Sequence, residues 1–458
     1  MWIWLLALSC SDAPPAQPPE AKTKALAPAP RPADPATFNA GGTGGPKILL
    51  VTLDTVSAGH LASYGGRVPM PVLDALGAVR VEQAFSHFPE TALSHWSMMS
   101  GVLPEVHGNV AGMGASRYAG PTLAELAKAR GYATGAFIGG LTLLDAACGL
   151  GRGFDVYNDD MLGPGAMEVP AAKVIRAAGS WIDAQPGPWF AFVHLFDAHT
   201  PYVPTAPTRF DPDYVGTMEG TEGSLTPYRD GRAKPSGQDL AHAVALYDAE
   251  IAELDAQLAG LFSHLKGDEI VIVTADHGES FAHDYLFNHR AVLWDDVLHV
   301  PLYVKAPGLK PQAVRGMVGL VDLLPTLVDL AGWGATAPFQ GVSRVGVLRG
   351  LGGGAERHWA RTDPWMPLLP GEPGARFAER TTTTKRIREL DGSACTYDLV
   401  VDPAELRGAC GPDDGLAWKA YTDALASMAP FQRRLEPSRP ALRATPGELL
   451  ERLGYVEH

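Results

Sequence analysis

The stretch KILLVTLD, residues 47–54, is an unbroken apolar run rich in β-branched residues that ends on a carboxylate. Two later stretches repeat the pattern: WFAFVHLFDAH, residues 189–199, and EIVIVTADHGE, residues 269–279. Continuous apolar runs of this length suit strands covered on both faces, as in the parallel sheet of an α/β fold. Helical patterns lie between them. In LYDAEIAELDAQLAGLFSHL, residues 246–265, Tyr247, Ile251, Leu254, Leu258, Leu261 and Leu265 recur at steps of three and four, which predicts an amphipathic helix just before a strand. Asp54, then His194 with His199, then Asp276 with His277, each fall at or just past the end of an apolar run. Open α/β sheets bind ligands at the carboxyl ends of their strands. Acids and histidines delivered to one edge therefore point to chemistry rather than to core packing.

A fourth stretch, ETALSHWSMMSG at residues 90–101, crowds Thr91, Ser94 and His95 at a helix entrance. Hydroxyls there commonly cap the helix. The alternative is a nucleophile placed where a helix N-terminus steadies an anion. Asp, His and hydroxyl donors together suit a divalent metal of intermediate hardness.

Composition narrows the field. The 458 residues are 46% apolar and 19% charged, a globular balance, with a net charge of −14. That charge excludes a basic nucleic-acid-binding face, and any anion site must find its positive charge locally. The opening MWIWLLALSCSDAPPAQPPE resembles a lipoprotein signal (residues 1–10) ending at Cys10, and a Pro/Ala-rich tether (11–45) follows. Export with a lipid anchor at Cys10 is expected, and no later run is long enough to span a bilayer. Cys395 and Cys410 are close enough to bond in an oxidising compartment, and Cys148 reads as a buried small hydrophobe. Residues 210–238, rich in Gly, Pro, Thr and Ser, read as a long surface excursion that could act as a lid. A catalytic domain is expected over 46–340 and a smaller α+β subdomain over 341–458, where RTTTTKRIREL and CTYDLV suggest an antiparallel sheet.

LDTVSAGHLASYGG resembles the opening metal motif of the sulfatases, within the alkaline phosphatase superfamily, and ETALSHWSMMSGVLPEVHG their nucleophile segment. VHLFDAHTPYVP, ALYDAEIAELD, VTADHGESFAHDYLFNHRAVLWDDVLHVPLYVKAPG, LVDLLPTLVDLAG, FQGVSRVGVLRG, CTYDLVVDPAEL and LERLGYV follow in the family's order, from Pro46 onward. The resemblance implies a large, mostly parallel sheet sandwiched by helices, with a small C-terminal antiparallel sheet. It implies that Asp54, Asp276 and His277 hold one divalent metal (zinc, manganese or calcium) together with the Thr91 oxygen. His199 and His289 match positions that meet the substrate anion or leaving group, and His194 and His95 stand beside them as further catalytic candidates. Glu279 would orient a ligand, while His107 and His283 would be structural. Asp197, His199 and His289 form an alternative second metal set, although the family pattern favours one ion.

The departures matter equally. The family's Cys-x-Pro-x-Arg reads Thr91-Ala-Leu-Ser-His95, so the cysteine that becomes formylglycine is missing. Thr55 and Ser57 stand where a second Asp and an Arg are usual, and GYATGAFIGGLTLL replaces the Lys-x-His region. The expected function is hydrolysis of a sulfate, phosphate or phosphonate ester on a carbohydrate, lipid or small molecule through Thr91. The alternatives are a degenerate anion- or glycan-binding protein and a phospho-group transferase.

Overall fold

The computed structural model describes residues 45–417, 419, 421 and 423, except 109–115, 117, 164–165, 284, 335–338, 363–375 and 390. The leader, nearly all of the tether and the terminal LERLGYV lie outside these residues. The apolar runs fold as read, into strands of one sheet. Its strands are β1 Ile48–Leu53, β2 Val79–Val81, β3 Ala133–Ile138, β4 Val156–Asn158, β5 Trp189–Leu195, β6 Ile270–Thr274, β7 Leu302–Lys305 and β8 Gln312–Val314. Their spatial order is β8-β2-β7-β6-β1-β5-β3-β4. Strands β6, β1, β5, β3 and β4 are parallel, and β7 runs antiparallel between β6 and β2. Every residue of β1, β5 and β6 is buried, which explains why these strands read as continuous rather than alternating apolar runs.

Four helices matter for the site: α1 Thr91–Ser100, α2 Ala171–Asp183, α3 Gly237–Phe262 and α4 Leu323–Leu330. Helix α3 buries Tyr247, Ile251, Leu254, Leu258 and Leu261 as the periodicity predicts. It begins well before Leu246, because the Ser236 hydroxyl accepts from the Asp239 N–H (3.1 Å) and caps it there. The excursion over 210–238 carries a short helix, Glu222–Arg229, beside strand Tyr285–Asn288. Tyr228 meets Phe287 there, with ring centroids 6.4 Å apart.

The later residues form a five-stranded antiparallel sheet in chain order: β9 His358–Arg361, β10 Phe377–Arg380, β11 Thr384–Arg388, β12 Ser393–Asp398 and β13 Ala409–Pro412. Cys395 and Cys410 face each other across β12 and β13 and are disulfide-bonded. Cys148 is free and buried. A buried charge cluster joins this sheet to the segment after β6. Lys385 Nζ lies 2.7 Å from Asp295 Oδ1 and 2.9 Å from Glu405 Oε1, and Arg380 reaches Asp295 Oδ2 at 2.9 Å.

Candidate active site

Register builds the site. Thr52 of β1 stands opposite both His194 of β5 and Thr274 of β6, so Asp54 and Asp276 emerge side by side just past neighbouring strand ends. The Asp54 N–H donates to Leu195 O (2.9 Å), extending the ladder up to the carboxylate. Donor atoms of Asp54, Asp276 and His277 all lie within 4.8 Å of one another, and all three residues are buried. No other group of three or more His, Cys, Asp or Glu donors is so placed among the described residues.

Thr91 reaches this group from the first residue of α1. The helix's N-cap is Glu90, in an extended conformation, and no side chain caps the helix. The capping role therefore does not claim the Thr91 hydroxyl, which lies 3.4 Å from His277 Nε2. Ser94 fixes the helix to the opposite loop by donating to Asp276 O (2.8 Å).

The donor set fits a divalent cation. Asp54 Oδ1 and Asp276 Oδ2 are buried and make no hydrogen bond, a costly state for carboxylate oxygens. Burial pushes Asp54 up to about 7, against the pull of His277. Burial also raises Asp276, with Asp54 adding to it. Burial alone would lower His277, but Asp276 and Asp54 outweigh it and raise the imidazole. Two clustered carboxylates outweigh the one imidazole beside them, so a divalent cation would offset charge that His277 alone does not.

The predicted histidines divide into two kinds. His194 is fully buried with Nε2 2.9 Å from Asp54 Oδ2, so it orients that carboxylate from behind. His95 is also fully buried, with Nδ1 bonded to Thr91 O (2.7 Å) and Nε2 to Thr52 Oγ1 (2.9 Å). Both nitrogens of His95 are bonded within the fold, so this catalytic candidate stands here as a tie between α1 and β1. Burial lowers His95 to about 3 and His194 to about 4. His199 and His289 sit in front. His289 lies over His277 (ring centroids 4.2 Å), and His199 meets His289 edge-on at 5.5 Å. His199 is stacked on Phe196 at 4.3 Å and gives its Nδ1–H to Thr200 O (2.8 Å).

Glu279 supports this front pair. It is fully buried, accepts from the Tyr202 hydroxyl at Oε2 (3.0 Å), and has Oε1 3.4 Å from His289 Nδ1. Asp197 does not point at the site: both its oxygens accept from the Ala171 N–H (3.0 Å) at the start of α2. The alternative second metal set therefore loses its carboxylate. His107 has Nε2 3.3 Å from Ser97 Oγ, and His283 stacks on Trp294 at 3.8 Å. The sequence reading missed Tyr247, counted only as part of an apolar stripe. Its hydroxyl donates to Thr55 O (2.6 Å) and accepts from the Ser57 N–H (3.0 Å).

The sulfatase family profile matches residues 46–333, which is more than half of the chain. The chain belongs to the sulfatase family. It is 31% identical over 182 residues to arylsulfatase K of Mus musculus, covering 37% of this chain and 32% of that protein. It is 35% identical over 167 residues to a Δ4,5-hexuronate-2-O-sulfatase of Bacteroides thetaiotaomicron, covering 33% of each. The chain thus spans about a third of the length of these curated relatives. In fold, this sulfatase-family chain is similar to the phosphonate monoester hydrolase of Agrobacterium radiobacter. The TM-score is 0.68 at 20% identity, covering 84% of this chain and 96% of that one.

Proposed function

We propose that the protein is a metal-dependent hydrolase of sulfate, phosphate or phosphonate esters in which Thr91 is the nucleophile. The observation that carries this reading is the uncapping Thr91 hydroxyl, at a helix N-terminus and 3.4 Å from His277 Nε2, beside the Asp54–Asp276–His277 group. A divalent ion held by that group would lower the proton affinity of a hydroxyl within its reach and draw charge from the oxygens of a substrate anion. Two carboxylates and an imidazole suit zinc or manganese better than calcium, which takes roughly six to eight oxygen ligands.

In the reaction, Thr91 Oγ1 loses its proton to solvent water and bonds to phosphorus or sulfur. The ester P–O or S–O bond on the far side breaks, and its electron pair leaves with the departing oxygen. That oxygen takes a proton from the imidazolium of His199 or His289, a form that burial disfavours in the free protein and the substrate anion would favour, and such a transfer typically contributes about 100- to 10,000-fold. Thr200 O holds the Nδ1–H of His199, so Nε2 is the nitrogen that exchanges a proton with substrate. The N-terminus of α1, which the N-cap side chain does not cap, favours the anion as it enters. Water then splits the threonine ester, which restores the hydroxyl and releases the acid. The similarity to a hexuronate sulfatase supports a sulfated carbohydrate as substrate, whereas a threonine in place of the cysteine favours phosphate or phosphonate chemistry. Export through a Cys10 anchor, and the division at 340/341, are proposed on the sequence alone.

The test uses chelator-stripped protein reloaded with manganese or zinc and assayed on paired aryl sulfate, phosphate diester and phosphonate ester substrates. Thr91→Ala should stay folded and metal-loaded yet lose about a thousandfold to a millionfold in kcat, as removal of a nucleophile typically does. Turnover near the wild-type rate would sink the nucleophile assignment. Metal binding without turnover on any of the three would shift the protein to anion binding.

A further inference from the structure

Hydrogen bonds tie the loop after β1 both to α3 and to the second ligand-bearing loop. Thr55 adopts φ 58°, in the left-handed region, which β-branched residues seldom enter. In that conformation its backbone N–H points at Asp276 Oδ1 (3.3 Å), and its hydroxyl turns back onto Asp54 O (2.8 Å). One buried hydroxyl bridges both sides of the turn: Tyr247 gives its proton to Thr55 O and takes one from the Ser57 N–H. The ring is held edge-on by His60 at 4.8 Å and Tyr202 at 5.6 Å. The two loops also touch at Ser57, whose Cβ lies 2.9 Å from where a Cβ on Gly278 would stand. Phenylalanine would complete the apolar stripe of α3 equally well. The hydroxyl is therefore explained by the loop and not by core packing.

We infer that Tyr247 is a positioning residue for the metal centre. Its hydroxyl holds Thr55 in the left-handed conformation, and the Thr55 N–H in turn holds Asp276 beside Asp54. A strained backbone persists only where its surroundings over-determine it, and the bridged turn supplies that constraint. The inference rests on the reading of Asp54, Asp276 and His277 as a metal site. Partners one step behind the ligands typically change metal affinity by about 10- to 100-fold.

The experiment is calorimetric titration of Mn²⁺ and of Zn²⁺ into the chelator-stripped full-length protein. Tyr247→Phe should bind each ion about 10- to 100-fold more weakly. Thr55→Gly should bind nearly as the wild type does, because glycine adopts φ 58° without the steric penalty. In the Thr55→Gly background, Tyr247→Phe should cost much less, and that double variant also serves if Tyr247→Phe alone fails to fold. Affinity of Tyr247→Phe within about threefold of wild type would overturn the inference, being well short of an effect of this kind. An equal loss in both backgrounds would also overturn it, by showing a packing effect that does not act through Thr55. Failure of the wild type to bind either ion would remove the metal centre, and this inference with it, whereas normal wild-type binding confines a failure to Tyr247.

Discussion

Replacing Lys385 by Met removes an ammonium shared by two buried carboxylates while keeping most of the side-chain volume. The Lys385 side chain is fully buried, 2.7 Å from Asp295 Oδ1 and 2.9 Å from Glu405 Oε1. Asp295 keeps Arg380 at 2.9 Å, so the loss falls on Glu405, which is only 2% exposed. Burial already pushes the Glu405 carboxyl up to about 7, even with Lys385 opposing it. Removing one member of a buried pair typically costs about 3–5 kcal/mol, because the remaining charge is stranded. At roughly 2 °C per kcal/mol for a large domain, Tm should fall by about 6–10 °C at pH 8. The pH dependence has a fixed sign. Without Lys385 the folded carboxyl rises further above its unfolded value of about 4.3. A carboxyl raised in this way penalises the folded state increasingly as pH climbs from the unfolded towards the folded value, and the penalty vanishes below the unfolded value. Thermal unfolding of both proteins should therefore show a deficit at about pH 5 less than half of that at pH 8. A deficit under about 2 °C at pH 8 would refute the reasoning, and so would one that does not change with pH. Asp295 follows His289 by six residues, so the same variant also reports whether the C-terminal sheet steadies that histidine.

Gly278→Ala should cost at least about tenfold in Mn²⁺ affinity by calorimetry, because disturbing the support of a ligand has effects of that size. A Cβ there would stand 2.1 Å from Asp296 O and 2.9 Å from Ser57 Cβ, so the backbone next to His277 must shift. Cys395→Ser opens the disulfide, which joins residues 15 apart, and should cost about 3 kcal/mol, the chain-entropy value for a loop of that length. Its unfolding transition should match that of reduced wild type, and insensitivity of the wild type to reductant would count against this.

The sheet was legible because β1, β5 and β6 are buried on both faces, leaving runs of apolar residues that no exposed strand would carry. The start of α3 was less so. Its first turns, Gly237 to Ala245, carry little of the stripe that marks the rest, and only the Ser236 cap sets the boundary. The short strand Val79–Val81 has three residues and takes its place from its neighbours in the sheet, so no local pattern announces it. Asp197 shows a different gap. Sequence places it beside His199, but the α2 N-terminus, 26 residues earlier, claims its carboxylate, and such a long-range partner leaves no mark on the motif.

The histidines show what sequence position alone leaves open. His95 and His194 stand near the metal group in the chain's order just as His199 and His289 do, and all four are candidates on residue type. What separates them is the partner each ring meets. Thr52 and the Thr91 carbonyl take both nitrogens of His95, and Asp54 takes Nε2 of His194. These contacts hold carboxylate and helix in place from within the core. His199 commits only Nδ1, to Thr200 O, and His289 stands over the far side of His277 against Glu279. His199 keeps Nε2 uncommitted, whereas both nitrogens of His95 are bonded and the one nitrogen left to His194, Nδ1, is buried and without a partner. The proposed roles follow these partners, His95 and His194 as supports and His199 and His289 as proton carriers, a split that the order of the motifs does not carry.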